Sequence, residues 1–481
     1  MQRRRFLKSG LAAGGLLLAR GGDAQEATAE VKFPKDFIWG VATSAYQIEG
    51  GWNVDGRGES IWDRFAHTPG KIKHGENGDI ACDSYRRYAE DIALLKRLNV
   101  KSYRYSISWP RIQPSGRGAA NAKGLDYYRR LTDAILEAGM RPLPTLFHWE
   151  LPQPLEDAGG WPERDTAKRF ADYAEIVTKA LGDRASHWLI LNEPKTFTSC
   201  GYWYGNHAPG RKDPLAFVRA THSANLAQGL AFAAMKKVQS KLQIGGAFDV
   251  SPMYPFSKSA ADLAAAQRWD RFQNLWFLSP ALQGKYPEGV LPANRQADLL
   301  GMHAGDEKLL RAQFDFVGLN YYTPVLVKHA PQGNGVPGLD TQSLWATYHG
   351  SLPKTDLDWT IYPQGFYDIL TRMAEVTGKI PIEITENGGA FNTAPNARGQ
   401  IDDRGRIDYL REHLRMVARA IEQKIPIRAY HYWSLLDNFE WAEGYTPRFG
   451  LVHVDFKNGP RRTMKSSGEW FAKVAATNTV R

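Results

Sequence analysis

From Phe33 onward the chain repeats one unit: an apolar, β-branched or aromatic run that ends in polar residues, then a segment with helical periodicity. Eight runs are of the first kind: Phe37–Tyr46, Ser102–Trp109, Arg141–Trp149, His187–Asn192, Gln243–Val250, Phe314–Tyr322, Ile380–Thr385 and Ile427–Leu435. Between them, Ser84–Leu98 carries Tyr85, Tyr88, Ile92 and Leu95 at spacings of three and four. Leu125–Ala138 and Thr166–Leu181 repeat the pattern. Strands alternating with helices argue for parallel β/α units, and eight such units close a (β/α)8 barrel. The expectation is a single (β/α)8 TIM barrel with elongated βα loops over residues 30–481. No linker, low-complexity tract or short repeat divides it. The longest poorly periodic stretch, Lys328–Asp358, follows the sixth run, where a barrel builds its functional face.

Composition narrows the class. Hydrophobic residues are 43% and charged residues 23% of the 481, the balance of a globular protein. That excludes a disordered chain, a collagen-like repeat and a multi-span membrane protein. Two cysteines, Cys82 and Cys200, exclude a disulfide scaffold and a four-cysteine zinc site, and they read as buried thiols. The net charge is +10. Without the five basic residues and single acid of the first 24 positions it falls to +6, scattered along the chain. No nucleic-acid partner is expected.

The N-terminus reads as an address. Arg3-Arg4-Arg5-Phe6-Leu7-Lys8 precedes an apolar stretch, Leu11 to Ala19, too short to span a bilayer but suited to a signal-peptide core. The basic part resembles a twin-arginine export signal. Residues 1–29 are therefore expected to be a signal, cleaved after Ala24 or Ala29. The mature protein is expected to be periplasmic or secreted, with the export machinery as a transient partner.

In a barrel of this kind reactive groups stand at the C-terminal ends of strands. Two glutamates do so in similar settings: Leu189-Ile-Leu-Asn-Glu193-Pro194 closes the fourth run and Ile382-Glu-Ile-Thr-Glu386-Asn-Gly388 the seventh. Two carboxylates at a barrel mouth are the minimum equipment for glycoside hydrolysis, one to protonate the leaving oxygen and one to attack the sugar or activate water. Period-two alternation puts Glu383 on the face opposite Glu386, pointing outward to the helices and paired with a cation. Tyr46, Trp149, Tyr322, Trp433 and Trp441 lie at or past strand ends beside Gln47, His148, Asn192 and Glu440. Such a set offers flat faces and polar groups to a hydroxyl-rich ligand.

The sequence resembles the family-1 glycoside hydrolases, the β-glucosidase family, from about Phe33 to about Trp470. The motifs that carry the resemblance occur in the family order. They are Phe37-Ile-Trp-Gly-Val-Ala-Thr-Ser-Ala-Tyr-Gln-Ile-Glu-Gly50, Tyr103-Arg-Tyr-Ser-Ile-Ser-Trp-Pro110, Phe147-His-Trp149, Asn192-Glu-Pro194, Asn320-Tyr-Tyr-Thr323, Thr385-Glu-Asn-Gly388 and Asp437-Asn-Phe-Glu-Trp-Ala-Glu-Gly-Tyr445. The resemblance implies Glu386 as nucleophile and Glu193 as general acid/base. It implies Gln47, His148, Asn192, Trp433, Glu440 and Trp441 as the residues that hold the non-reducing sugar. Arg104 and Tyr322 would lie beside the nucleophile, and Trp359 in the neighbouring aglycone subsite.

Arg104 would then favour ionised Glu386, and the charge of Glu386 would raise the pKa of Glu193. A retaining pair implies carboxyl groups about 5–5.5 Å apart. Glu440 would repel a phosphate, so unphosphorylated β-glucosides are expected, with some tolerance of β-galactosides and β-fucosides. Lys195 stands where the family often has an aromatic and is placed toward the aglycone; Glu150 stands where Asp is common. No dinucleotide or phosphate-loop fingerprint occurs. His148 and Glu150 lack a third metal ligand, and His431 reads as a packed strand histidine, so no metal and no cofactor are expected. The leading expectation is a retaining exo-β-glucosidase. The alternatives are a transglycosylating enzyme with the same catalytic residues, or a non-catalytic sugar binder on the same scaffold.

Overall fold

A computed structural model describes residues 30–331, 333, 335–344 and 352–481. The signal expected over residues 1–29 lies outside the described residues, as do parts of the Lys328–Asp358 stretch. Eight parallel strands close a barrel: β1 (Ile38–Ala42), β2 (Ser102–Ser106), β3 (Arg141–Phe147), β4 (His187–Asn192), β5 (Gln243–Asp249), β6 (Phe316–Tyr321), β7 (Ile382–Asn387) and β8 (Ile427–Trp433). Each strand neighbours its successor, and β8 closes on β1. Helices Ser84–Arg97, Ala122–Glu137, Arg164–Leu181, Pro214–Val238, Pro363–Thr377 and Arg404–Glu422 fill intervals between strands. The predicted helical segments match the first three of these to within three residues at either end.

The interior is packed. Leu143, Leu189, Ala247 and Phe316, from β3 to β6, form one fully buried cluster. The start of the described region is tied to the C-terminus by an antiparallel pair, Val31–Lys32 with Thr479–Val480. Within the stretch expected to be a loop, Thr341–Ser343 pairs with Val325–His329, which continues onto Met253–Pro255 as a small sheet outside the barrel.

Most predicted strands run too long at their C-terminal ends, and for a physical reason. After Ala42 the chain turns, with Ser44 in extended conformation ahead of a helical turn, Ala45–Ile48. Tyr46 and Gln47 therefore stand on that turn instead of on β1. Trp109 likewise opens a turn, Trp109–Ile112.

One expectation about orientation is overturned. Glu383 faces the barrel interior, not the helices. Its carboxylate accepts from Arg141 Nη1 and Nη2 at 2.9 and 2.7 Å and from Arg428 Nε at 2.8 Å. Arg141 opens β3, diametrically opposite β7, and is reachable only across the interior. The Arg428 guanidinium lies 4.9 Å from the centroid of the Phe316 ring. The predicted cation pairing holds, but the predicted face does not, because β7 is bulged. Ile384 pairs with Leu319 and Glu386 with Asn320, so Thr385 is extra. The bulge breaks the alternation and turns both Glu383 and Glu386 inward.

Candidate active site

The C-terminal ends of the strands converge on one buried polar network. From β2, Arg104 reaches across to β7: Nη1 donates to Glu386 Oε1 at 2.5 Å and to the Thr385 carbonyl at 3.0 Å, and Nη2 donates to Asn192 Oδ1 at 2.6 Å. The second oxygen of Glu386 accepts from the Tyr322 hydroxyl at 2.6 Å. Burial pushes the Glu386 carboxyl upward, while Arg104 and Tyr322 pull it down; the net direction is upward. The predicted effect of Arg104 is present, yet desolvation outweighs it. Burial, reinforced by Glu386, holds the Tyr322 hydroxyl well above its usual range, so it remains a donor.

Glu193 stands in a left-handed backbone conformation, φ +46°, at the start of the short helix Pro194–Thr198. Such a conformation in a non-glycine residue costs about 1–3 kcal/mol and collects at functional sites. Pro194 favours the turn by supplying a preset φ at the first helical position. Glu193 N–H is anchored to the Ala247 carbonyl at 2.8 Å. The Glu193 carboxyl accepts from Asn320 Nδ2 at 2.7 Å. Burial first, then the charge of Glu386, then that of Asp249, hold its pKa well above the usual carboxylate range. Two buried carboxyls this strongly linked titrate as a pair. The proton of the pair belongs on Glu193, because Glu386 has a guanidinium and a phenol on it and Glu193 has an amide.

Around the pair lies a wall of aromatic and polar side chains. Asn192 Nδ2 stands 3.1 Å from His148 Nε2. Burial and the Arg104 charge keep His148 neutral, so its ring offers one N–H donor and one acceptor nitrogen. His148 stacks against Trp433 and Trp441, with centroids 5.7 and 6.0 Å apart. Gln47 accepts from Ser44 Oγ at 2.6 Å and donates to the Phe439 carbonyl at 3.0 Å and to Glu440 Oε2 at 3.4 Å. Burial and the Glu386 charge push Glu440 up to about 8. Trp359 packs edge-on against Tyr322 at 5.3 Å. Every residue proposed for the site from sequence therefore joins one connected set: Gln47, Arg104, His148, Asn192, Glu193, Tyr322, Trp359, Glu386, Trp433, Glu440 and Trp441.

Sequence reasoning placed Asn320 in the motif Asn320-Tyr-Tyr-Thr323 but gave it no role. Its Nδ2 donates to Glu193 Oε1 and, at 3.1 Å, to Asn192 Oδ1; its Oδ1 accepts from Thr385 Oγ1 at 2.6 Å. The available signal was its place at a strand end, two residues before Tyr322. Trp149, read only as one of several aromatics, donates to the Asn192 carbonyl at 3.0 Å and packs on Trp441 at 4.5 Å.

A (β/α)8 barrel with a buried, asymmetrically supported pair of glutamates among aromatic and amide groups defines a glycoside hydrolase. The comparisons agree. Residues 29–480 match the family described as glycosyl hydrolase family 1, and the chain belongs to it. Beta-glucosidase A of Acetivibrio thermocellus is 45% identical over 450 residues, covering 93% of this chain and 99% of the relative. The solved family 1 β-glucosidase of Thermotoga maritima superposes with a TM-score of 0.88 at 41% identity, covering 94% of this chain and all of that one. The Thermotoga maritima β-glucosidase in complex with glucoimidazole gives 0.86 at 41% identity, with 93% and 99% covered.

Proposed function

We propose that this chain is a retaining exo-β-glucosidase that removes terminal non-reducing β-D-glucosyl residues, with Glu386 as nucleophile and Glu193 as general acid/base. The observation that carries the assignment is the asymmetry of support. Arg104 and Tyr322 stabilise an anion on Glu386, while Glu193, beside two carboxylates and with an amide on it, holds the proton.

In the first step a Glu386 oxygen bonds to the anomeric carbon as the glycosidic C–O bond breaks. Glu193 passes its proton to the departing oxygen. Esterified Glu386 is neutral, so its push on the pKa of Glu193 vanishes and Glu193 becomes a base. In the second step water attacks the anomeric carbon, Glu193 takes its proton, and the ester bond breaks to restore the Glu386 carboxylate. Two inversions give net retention.

The glycone is an unphosphorylated glucoside, held by Gln47, His148, Asn192, Trp433, Glu440 and Trp441, with side activity on β-galactosides and β-fucosides. The β-glucosidase names of its relatives support the glycone. The mature enzyme acts in the periplasm or outside the cell after twin-arginine export, on the evidence of Arg3, Arg4 and the short apolar stretch behind them.

The test is hydrolysis of an aryl β-D-glucoside by the mature chain beside Glu386→Gln. Turnover that falls by several orders of magnitude in the variant supports the assignment; comparable turnover in both refutes it.

A further inference from the structure

Two carboxylates act on Glu193, and each has a cation of its own. One is Glu386, carried by Arg104. The other is Asp249, the last residue of β5. Asp249 shares the inward face of its strand with Ala247 of the interior cluster, and it pairs in register with Asn320 on β6, the residue that donates to Glu193. The Asp249 carboxylate is fixed by Gln273 Nε2 at 2.6 Å and by Lys195 Nζ at 3.3 Å. Lys195 stands two residues after Glu193 on the helical turn that Glu193 opens. Both members of this ion pair are nearly buried, with side chains 12% and 13% exposed, so solvent screens them little.

We propose that Lys195 is a positioning residue for the reaction: paired with Asp249, it offsets that carboxylate's field at Glu193 and so sets the pH range in which Glu193 shuttles its proton. The inference rests on Glu193 being the acid/base.

The need for such a residue follows from the two steps. Glu193 must hold a proton in the first and release one in the second. Glu386 supplies a field that is present in the first step and absent in the second. Asp249 supplies a field that is always present, and left alone it would keep Glu193 protonated when a base is needed. A fixed cation beside Asp249 cancels that constant part and leaves the variable part, from Glu386, to drive the change of role. The groups that face Glu193 are Glu386 on β7, Asp249 on β5, Tyr322 after β6, and Lys195 and Cys200 on its own segment. Asn320 is the neutral donor on it. Of these, Asp249 opposes its ionisation and Lys195 favours it.

The sign of each substitution is therefore fixed. Lys195→Met leaves Asp249 uncompensated, raises the pKa of Glu193 and moves the basic limb of kcat/KM to higher pH. Asp249→Asn removes the opposing charge and moves that limb to lower pH. The double variant returns toward wild type. The experiment is the pH profile of kcat/KM on an aryl β-D-glucoside with a poor leaving group, for all four proteins, each checked by its melting transition. Opposite shifts of roughly half a pH unit or more, largely cancelled in the double variant, are expected. Basic limbs that coincide in all folded variants would overturn the proposal, as would shifts of the same sign in both single variants. Glu193→Ala is the control for the underlying assignment: its basic limb should be absent, and a limb that persists there would show that the acid/base assignment itself has failed.

Discussion

Arg104 on β2 and Glu386 on β7 meet inside the barrel mouth, Nη1 to Oε1 at 2.5 Å, with both side chains almost wholly buried. The same guanidinium holds Asn192 Oδ1 through Nη2. One cation thus fixes Glu386, the proposed nucleophile, and the residue ahead of Glu193, the proposed acid/base, in a single frame.

Removing that cation strands a buried carboxylate. Arg104→Met should lower kcat/KM by about 10²–10⁴-fold, from the roughly 3–5 kcal/mol cost of breaking a buried pair. Burial already pushes Glu386 upward, and without Arg104 nothing cationic opposes it. The acidic limb of the pH profile should therefore move to higher pH. An unshifted limb with a modest loss would speak against the pairing as the source of Glu386's ionisation.

Tyr322→Phe deletes the 2.6 Å hydrogen bond to Glu386 Oε2 and little else. A hydrogen bond to a charged group contributes about 1.5–3 kcal/mol, so kcat/KM should fall by about 10–150-fold. The protein should fold and melt much as wild type does. Steady-state kinetics beside a melting curve separates the two readouts.

Glu440 carries a carboxyl pushed up to about 8, by burial first and then by Glu386. It is mostly protonated at pH 7 and ionises as the pH rises through about 8. Competitive inhibition by glucose should change across that range in wild type and lose the transition in Glu440→Gln, whose KM for a glucoside should rise by about 10–150-fold. A transition that survives in the variant belongs to another group.

Glu383 makes a prediction about stability. Burial pushes its carboxyl up, but Arg141 and then Arg428 pull it down to about 2. Its folded pKa is below the usual 4.5. The stabilisation is therefore complete above about pH 4.5 and is lost as the pH falls toward 2. Glu383→Gln should melt well below wild type at pH 7, by the equivalent of about 3 kcal/mol, with the gap closing toward pH 2. Its kcat at 25 °C should match wild type. A gap that stays constant with pH would contradict the ion-pair account.

The N-terminal address is testable in cells. Changing Arg3, Arg4 and Arg5 together to Lys should leave the enzyme inside the cell, measured as cytoplasmic against exported activity. Normal export of the variant would remove the twin-arginine reading.

Where the sequence was legible, it was because the chemistry sits in short contiguous motifs at strand ends. Glu193 after Asn192 and before Pro194, and Glu386 before Asn387-Gly388, could be placed at the barrel mouth from periodicity and turn signals. The fold followed from counting eight runs. Three kinds of information were hidden. The bulge at Thr385 cannot be seen in a pattern that assumes strict alternation, so Glu383 was assigned the wrong face though the right kind of partner. Asn320 and Asp249 draw their importance from being neighbours in register on β6 and β5, a relation between residues 71 positions apart in sequence. Tyr46 and Gln47 reach the site from a helical turn that an apolar run disguised as strand.

The most direct test of the central claim is intact-mass analysis after incubation with an activated 2-deoxy-2-fluoro-β-D-glucoside, whose electron-withdrawing fluorine slows hydrolysis of the ester. The account predicts one glycosyl adduct per chain, mapped to the peptide that contains Glu386 and absent in Glu386→Gln. No adduct from an enzyme that turns over aryl glucosides, or an adduct on Glu193, would contradict it.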